Sequence, residues 1–321
     1  MAGDVEREPV NPRAVGAGVV ADEAGAPAAA DDTPRWRRTL RLVLGNRLAA
    51  IGTVFLLLLV LIALTDRWIV PYGFNEINVV EGQLQPPSLS HLFGTDNLGR
   101  DVFSRVLLGA SVSLQVGLVA VGLSLTLGTA IGLLAGYVGG KIDDLLMRLM
   151  DVLFAFPAIL LAIAVLAILG RGTTNAMIAI GIVYIPIFAR VSRASTLSVR
   201  QAVYVRAARS AGASDLRIMR LHILPNIAAP IIVQASISLA FAILAEAALS
   251  FLGLGTQAPN PSWGRMLAEG SAFYGSAWWM AVFPGLAIFV TVFSLNVVGD
   301  ALRDALDPRQ ASAMESRGLS V

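Results

Sequence analysis

The stretch that decides the fold is a polar one, RAARSAGASDLRIMRLHILPN at residues 206–226, which lies between two almost purely apolar segments. Alanine and arginine favour a first short helix over residues 204–211. Gly212 then supplies the backbone freedom that ends a helix or makes a sharp turn. The segment is therefore expected to leave the apolar environment and to fold as a separate polar unit.

A second short helix is predicted after this turn. Ser214 or Asp215 is a candidate cap for its first turn, where backbone amides favour an acceptor and a negative charge. Pro225 is expected to end it, because proline removes a backbone donor. Its apolar residues are expected to form one stripe, opposite Arg217 and Arg220: Leu216, Met219, Ile223 and Leu224. The sequence thus predicts a helix–turn–helix unit that is longer than a connection requires.

The composition around this unit is that of a membrane protein. Of the 321 residues only 14% are charged, whereas soluble domains carry about 25%, and the mean hydropathy is +0.71. The chain contains no cysteine. Disulfides, thiolate metal sites and cysteine nucleophiles are therefore excluded.

Six segments approach the roughly 20 apolar residues that a membrane-spanning helix needs. The second is longer than one crossing, so its start is expected to lie in the interface or in a short outer helix. Pro157, Pro186 and Pro284 each remove a backbone donor inside a span, which predicts a kink or a break. The predicted spans are about 46–65, 107–136, 150–169, 174–190, 228–253 and 277–300.

The basic residues orient these spans. With the N- and C-termini in the cytoplasm, nineteen of the 24 lysines and arginines lie in inner segments, as the positive-inside rule requires. The chain is expected to divide into a disordered cytoplasmic tail (1–34), a first transmembrane helix with an outer loop (35–90), a core domain with five spans and the polar cytoplasmic loop 204–226 (91–309) and a flexible C-terminal tail (310–321).

Glycines spaced by four residues occupy one face of the second span. Gly128, Gly132 and Gly136 permit another backbone to approach closely, where apolar burial alone gives no drive for association. Their partner is either another helix of this chain or a second subunit.

Catalytic patterns are absent from the sequence. The segment nearest to a nucleotide-binding loop is AGYVGGKI at 135–142, which lacks glycine at Ala135 and serine or threonine at Ile142. His91 and His222 fall on opposite sides of the membrane, so each is expected to make a structural hydrogen bond. We therefore expect no enzyme activity, no cofactor or metal in this chain and no nucleic-acid partner.

The polar unit carries a family resemblance. Its spacing, Ala207-Ala208, three residues, Gly212, nine residues and His222-Ile223-Leu224-Pro225, resembles the EAA loop in membrane subunits of bacterial ABC importers. Four further stretches resemble the second permease subunit of the peptide-importer branch of that family: FGTDNLGRDVFSRVLLGAS (93–111), GYVGGKIDDLLMRLMDVLFAFP (136–157), AEAALSFLGLGTQAPNPSWGRML (245–267) and GDALRDALDPR (299–309).

The resemblance implies an all-α integral membrane protein of the type I ABC importer permease fold, with six spans, in the bacterial inner membrane. It implies a second permease subunit, two ATPase domains or subunits that bind ATP and Mg, an external solute-binding protein and surrounding lipid. Di- or oligopeptides are the expected solutes, with nickel, haem or another peptide-like solute as alternatives. An ion-gradient-driven transporter is the alternative from another class, but paired intramembrane carboxylates or inverted repeats are not found.

The resemblance also implies which residues contact the ATPases. Arg206 departs from the pattern, because the name-giving glutamate is expected there, so the ATPase groove that it meets is acidic or neutral. The expected coupling residues are Tyr204, Arg206, Ala207, Ala208, Gly212, Ala213, Asp215, His222 and Pro225.

Other residues are candidates for the solute path or the outer face. Glu246 lies inside a span, where an ionisable group costs a few kcal/mol unless it is partnered, so it either lines the path or bonds a neighbouring helix. Pro259 and Trp263 either belong to an outer gate or receptor contact, or anchor the chain at the interface. The residues of the outer GTDNLGRD motif either form a functional site or bridge one another: Gly94, Thr95, Asp96, Gly99, Arg100 and Asp101.

Overall fold

The described part of the chain is mostly α-helical. The structure is a computed structural model, and it describes residues 35–73, 75–77 and 82–306. The predictions for tails 1–34 and 310–321 lie outside these residues. The α-helices are α1 (Arg35–Gly45), α2 (Arg47–Ile69), α3 (Val102–Val138), α4 (Gly140–Phe154), α5 (Ala158–Leu169), α6 (Thr173–Val199), α7 (Val203–Ser210), α8 (Asp215–Ile218), α9 (Leu224–Phe251), α10 (Trp263–Ser271) and α11 (Trp279–Leu306).

Five helices are long and apolar enough to cross a membrane: α2, α3, α6, the continuous α8–α9 helix and α11. The bent pair α4–α5 makes up to six. The kink or break predicted at Pro157 within 150–169 is confirmed, because α4 ends at Phe154, α5 begins at Ala158 and the two helices meet at 93°. Pro157 explains the break, since it disfavours helical backbone at the residue before it.

Two other expectations about the spans each named two alternatives, and the structure excludes one of each: a separate outer helix, and a break at Pro186 or Pro284. The second span has no separate outer helix, because α3 runs unbroken for 37 residues from Val102. Pro186 and Pro284 lie inside α6 and α11, which continue through them, as does α9 through Pro230. Neighbouring helices and local adjustment re-satisfy the carbonyls that a proline leaves without a donor in such spans.

The glycine face of α3 packs on α6 within the same chain. A Cβ built on Gly132 would lie 2.1 Å from the carbonyl oxygen of Ala189, and one on Gly128 would lie 2.6 Å from that of Ile185. A Cβ built on Gly136 would lie 2.9 Å from the carbonyl oxygen of Arg193. Close packing within the subunit is therefore confirmed as the role of these glycines.

The buried side chains form one large cluster that spans α3, α5, α6 and α9. Val205 of α7 and Ile218 of α8 belong to it and are 1% and 0% exposed. A second cluster, at the opposite end of α3, contains Trp263 and Trp279. The polar unit is thus attached to the same core as the spans.

Candidate coupling loop and outer charge cluster

The coupling loop, residues 203–226, contains the predicted helix–turn–helix. Helix α7 matches the prediction to within a residue at each end. Gly212 follows with φ +80°, and its amide donates to the carbonyl of Arg209 while that of Ala213 donates to Ala208. These two bonds are those of a helix end closed by a left-handed glycine. A Cβ at Gly212 would meet nothing within 4 Å, so the glycine is needed for its backbone conformation.

The cap of the second helix differs from the prediction. Ser214 occupies the N-cap position with extended backbone, but its side chain makes no capping hydrogen bond. The Asp215 carboxylate accepts a hydrogen bond from the hydroxyl of Tyr137 instead, at 2.5 Å. The aspartate thus joins two distant parts of the chain rather than closing its own helix.

The prediction that Pro225 ends this helix is wrong. A π-helical turn over Met219–Ile223 follows α8, and the amide of Leu224 donates to the carbonyl of Met219, five residues earlier. Pro225 then lies in the first turn of α9. In a regular α-helix its ring would clash with the carbonyl four residues before it, and the wider turn accommodates the ring.

The π-turn also changes which apolar residues are buried. Ile218, Ile223 and Ile227 are all 0% exposed, and their spacings of five and four follow the wider turn. Leu216 is 71% exposed and Leu224 is 37% exposed. The predicted stripe is therefore right for Ile223 and wrong for Leu216, because a regular helical period does not allow for the extra residue in the turn.

The loop presents a mixed apolar and basic surface to solvent. Val203 and Tyr204 of α7 are 72% and 45% exposed, and Leu216 of α8 is exposed as well. Ala208, Ala213 and His222 are half-buried. The other expected coupling residues are exposed: Tyr204, Arg206, Ala207, Gly212, Asp215 and Pro225.

Tyr137, near the end of α3, connects this loop to two spans. Its hydroxyl bonds Asp215, and the guanidinium of Arg209 lies 5.5 Å from the centre of its ring. Arg200, next to the end of α6, donates to the carbonyls of Gly136 at 2.8 Å and Tyr137 at 3.3 Å. Sequence reasoning missed Tyr137, because a tyrosine at the end of a span does not indicate a partner 78 residues away.

An ion pair ties the bent segment to α6. Arg193 donates to both carboxylate oxygens of Asp143, at 2.5 and 2.6 Å. Such a two-pronged contact between arginine and a carboxylate fixes orientation as well as distance. Helix α4 is therefore held against the half of α6 that ends at Val199.

The outer motif forms a buried charge cluster. The Arg100 Nε donates to Asp96 at 2.6 Å, and its Nη2 donates to Glu269 of α10 at 3.1 Å. Arg105 donates to the same glutamate at 3.2 Å. The side chains of Arg100 and Arg105 are only 4% and 2% exposed. The charges of this motif bridge one another and α10, which is one of the two expected roles.

The corner before α3 is fixed by the same motif. One carboxylate oxygen of Asp101 accepts from the Ser104 amide at 2.7 Å, and the other lies 2.8 Å from Nδ1 of His91. The structural role expected for His91 is thus confirmed. Gly94 has φ +74°, and a Cβ there would lie 2.5 Å from the Gln85 carbonyl oxygen. Gly99 also has a positive φ, and Thr95 is buried.

Glu246 is fully enclosed by this chain. It is 0% exposed, and its carboxylate accepts hydrogen bonds from Ser250 at 2.6 Å and from Thr256 and Ser113 at 3.4 Å. These partners belong to α9, the following loop and α3. The arrangement is that of a hydrogen-bonding group that joins a loop to two helices.

Trp263 is buried as well. It is 1% exposed, and its indole N–H donates to the Val106 carbonyl at 2.9 Å. The alternative that it anchors the chain at the membrane interface is therefore wrong. Pro259 is exposed in the loop before α10. Within residues 35–73, 75–77 and 82–306, no group of three or more histidines and carboxylates is placed to hold a metal ion.

Comparison with known proteins matches two family models. Residues 128–312 match the binding-protein-dependent transport system inner membrane component. Residues 34–87 match the N-terminal transmembrane domain of oligopeptide transport permease C. Together the two models account for most of the chain, including the coupling loop and the first span.

Curated relatives cover nearly the full length. The chain is 47% identical over 277 residues to a dipeptide transport system permease protein of Alkalihalophilus pseudofirmus, covering 86% of this chain and 91% of that protein. It is 51% identical over 271 residues to a putative peptide transport system permease protein of Brucella abortus, covering 84% and 91%.

A third relative is a glutathione transport system permease protein of Escherichia coli, which is 49% identical over 274 residues, covering 85% of this chain and 89% of that protein. All three relatives are named as permease components of transport systems. The chain therefore belongs to the family of inner-membrane components of binding-protein-dependent transport systems and is a multi-pass inner-membrane protein.

Proposed function

We propose that this chain is one of two transmembrane subunits of an ATP-driven importer for di- or oligopeptides, with both termini in the cytoplasm. The observation that carries the proposal is the coupling loop, which has an exposed apolar and basic surface and a buried attachment to the spans. The names of the three relatives support a peptide solute, because dipeptides and glutathione are both short peptides.

The exposed side of the loop is the proposed docking surface for an ATPase. Val203 and Leu216 are each more than 70% exposed, and apolar side chains on a loop outside the membrane gain free energy when a partner covers them. Gly212 turns the chain between these two residues without adding a side chain to the surface. Two short helices joined by a tight turn are thus available to dock into a cleft of the ATPase.

The buried side of the loop transmits the movement. Helix α8 continues through the π-turn into α9, and the whole element is 37 residues long, about 55 Å at the rise of an α-helix. Tyr137 connects the same loop to α3, which packs on α6 through its glycine face. Displacement of the loop therefore moves three spans together.

Nucleotide drives transport only if the two ATPase states bind the loop differently. The permease then shifts between inward-open and outward-open conformations by the difference in binding free energy. ATP and Mg belong to the ATPase subunits in this scheme. An external solute-binding protein delivers the peptide, and the second permease subunit completes the pathway.

The three candidate residues for the pathway or gate have different roles in this proposal: Glu246, Pro259 and Trp263. Glu246 and Trp263 are enclosed, so they position the loop of residues 252–262 between α9 and α10. Pro259 is exposed in that loop and is the one of the three that is available to the solute or to the binding protein. The solute itself is best identified by mass spectrometry of the ligand retained by the cognate binding protein, which distinguishes a peptide from nickel or haem.

Gentle solubilisation tests the proposal. The tagged protein, extracted from its native membrane in a mild detergent, is expected to bring ATPase subunits and a second permease subunit with it. Recovery of the chain alone, or with only copies of itself, would contradict the proposal and would favour a gradient-driven transporter.

A further inference from the structure

We infer that the ATPase surface that receives the coupling loop presents a carboxylate to Arg206. The inference rests on the proposed function and names the chemistry of the partner at that site. In the EAA pattern the loop supplies the negative charge, a glutamate, at this position. Here the loop supplies the positive charge of Arg206 and the ATPase supplies the negative one.

Arg206 lies at a basic cleft between the end of α3 and α7. The cleft has a volume of about 770 Å³. Its lining residues are Tyr137, Val138, Arg200, Gln201, Arg206 and Arg209. Three arginines thus line one concave surface, and among the residues that the structure describes no aspartate or glutamate lines it.

The three arginines are differently engaged. Arg200 donates to two main-chain carbonyls, and Arg209 lies over the Tyr137 ring. Arg206 is exposed, and it has no carboxylate within ion-pair distance in the part of the chain that the structure describes. Arg206 is therefore the arginine of this cleft that is available to an anion from outside.

The single acidic residue of the loop offsets only part of the positive charge of this surface. Residues 200–226 carry five arginines and one aspartate, Asp215. The Asp215 carboxylate is occupied by the Tyr137 hydroxyl. When a partner covers an uncompensated cationic surface, it must replace the lost hydration with opposite charge, so an acidic partner surface fits and a basic one is repelled.

The position of the loop favours a soluble partner over the lipid surface. The α8–α9 helix is about 55 Å long, whereas the hydrocarbon core of a bilayer is about 30 Å thick. Phe251 and Leu252, at the far end of this helix, are about half exposed and apolar, which suits contact with lipid. The excess length therefore lies at the end that carries Arg217 and Arg220, and it places the coupling loop beyond the membrane.

The lysine content of the chain makes a direct test possible. Lys141 is the only lysine, so Lys141→Arg gives a chain without side-chain amines. Adding Arg206→Lys then places one amine, with its charge retained, at the proposed contact. A water-soluble carbodiimide joins such an amine to a carboxylate only when the two are already in contact, and peptide mass spectrometry identifies both residues.

The complete complex is used for this test, purified in detergent and bound to a non-hydrolysable ATP analogue. We expect the Arg206→Lys chain to cross-link to an aspartate or glutamate of an ATPase subunit. Lys141→Arg alone is the blank, and Arg303→Lys in that background is the matched control, since Arg303 is an exposed arginine at the inner end of α11. Neither should give this product.

A charge-reversal variant gives a second readout. Arg206→Glu should lower the ATPase retained on the purified chain by at least about tenfold, because like charges then meet at the interface, and Arg206→Lys should retain it. The inference is overturned if ATPase copurifies but position 206 cross-links only to lipid, to its own chain or to nothing. It is also overturned if Arg206→Glu retains ATPase as the parent chain does. Absence of ATPase from the parent preparation would contradict the proposed function itself.

Discussion

The Tyr137 hydroxyl donates a 2.5 Å hydrogen bond to the Asp215 carboxylate, and this bond joins the end of α3 to the first turn of α8. Hydrogen bonds to charged groups contribute about 1.5–3 kcal/mol. Tyr137→Phe removes the bond and keeps the ring under Arg209. We expect the variant to insert and assemble normally, while the amount of solute taken up per ATP hydrolysed falls several-fold.

A double-mutant cycle isolates this bond. Asp215→Asn weakens the same contact, so the double variant should lose little more coupling than Tyr137→Phe alone. Tyr184→Phe, a tyrosine inside α6, is the control for loss of a hydroxyl elsewhere in the chain. Fully additive losses from the two single changes would show that the two side chains act independently, against this account.

Gly132 is predicted to tolerate no side chain. Alanine there would place its Cβ 2.1 Å from the Ala189 carbonyl oxygen, and overpacking of this kind costs about 1–3 kcal/mol. Gly132→Ala should therefore lower thermal stability in detergent. Gly122, on the same helix, has nothing within 4 Å of a built Cβ, so Gly122→Ala should cause no loss. Equal stability of the two variants would contradict the packing of α3 on α6.

Glu269 is predicted to stabilise the end of the molecule where α10 packs against the start of α3. Its carboxylate accepts hydrogen bonds from the guanidinium groups of Arg100, Arg105 and Arg265 at 3.0–3.2 Å. Removing its charge leaves the buried guanidinium groups undercompensated, for which we expect a loss of about 3 kcal/mol. Unfolding of the Glu269→Gln protein in denaturant measures this. Glu76→Gln is the control, because Glu76 lies exposed in the outer loop. A variant at position 269 as stable as the parent would refute the role of this cluster.

Two substitutions at Gly212 separate its backbone role from its position on the surface. Asparagine tolerates a positive φ better than other side chains, so Gly212→Asn should retain most uptake. Gly212→Trp should insert normally but uncouple ATP hydrolysis from uptake, because the indole obstructs the docking surface. Measurement of both activities in membranes checks this, and normal uptake with tryptophan would count against docking at the turn.

The sequence was sufficient for features that depend on local pattern. Apolar runs located the spans, and Gly212 located the turn, because its requirement for a left-handed backbone is a property of one residue. The glycine face of α3 was also readable, since spacing by four residues fixes a helix face. Whether this face packs inside the chain or against a second subunit depends on the position of Ala189 and its neighbours, which spacing alone does not show.

Features that depend on tertiary contacts or on irregular backbone were not readable. The π-turn before Pro225 shifts the buried residues by one position, and a regular period cannot show it. Tyr137 and Glu269 obtain their partners from segments that are distant in sequence, so neither stands out by itself. Of the two alternatives for Trp263, the interfacial anchor fails because the indole packs against Val106 and Gly109 of α3, a contact that no local pattern shows.

The most direct test of the central claim is uptake by the reconstituted complex. The chain, its partner permease subunit and the ATPases are placed in liposomes with the binding protein outside, and a radiolabelled dipeptide is added. We expect the dipeptide to accumulate only when ATP and Mg are inside the liposomes, and to accumulate equally well when ion gradients are collapsed. Uptake that proceeds without ATP and disappears with the gradients would contradict the proposed function.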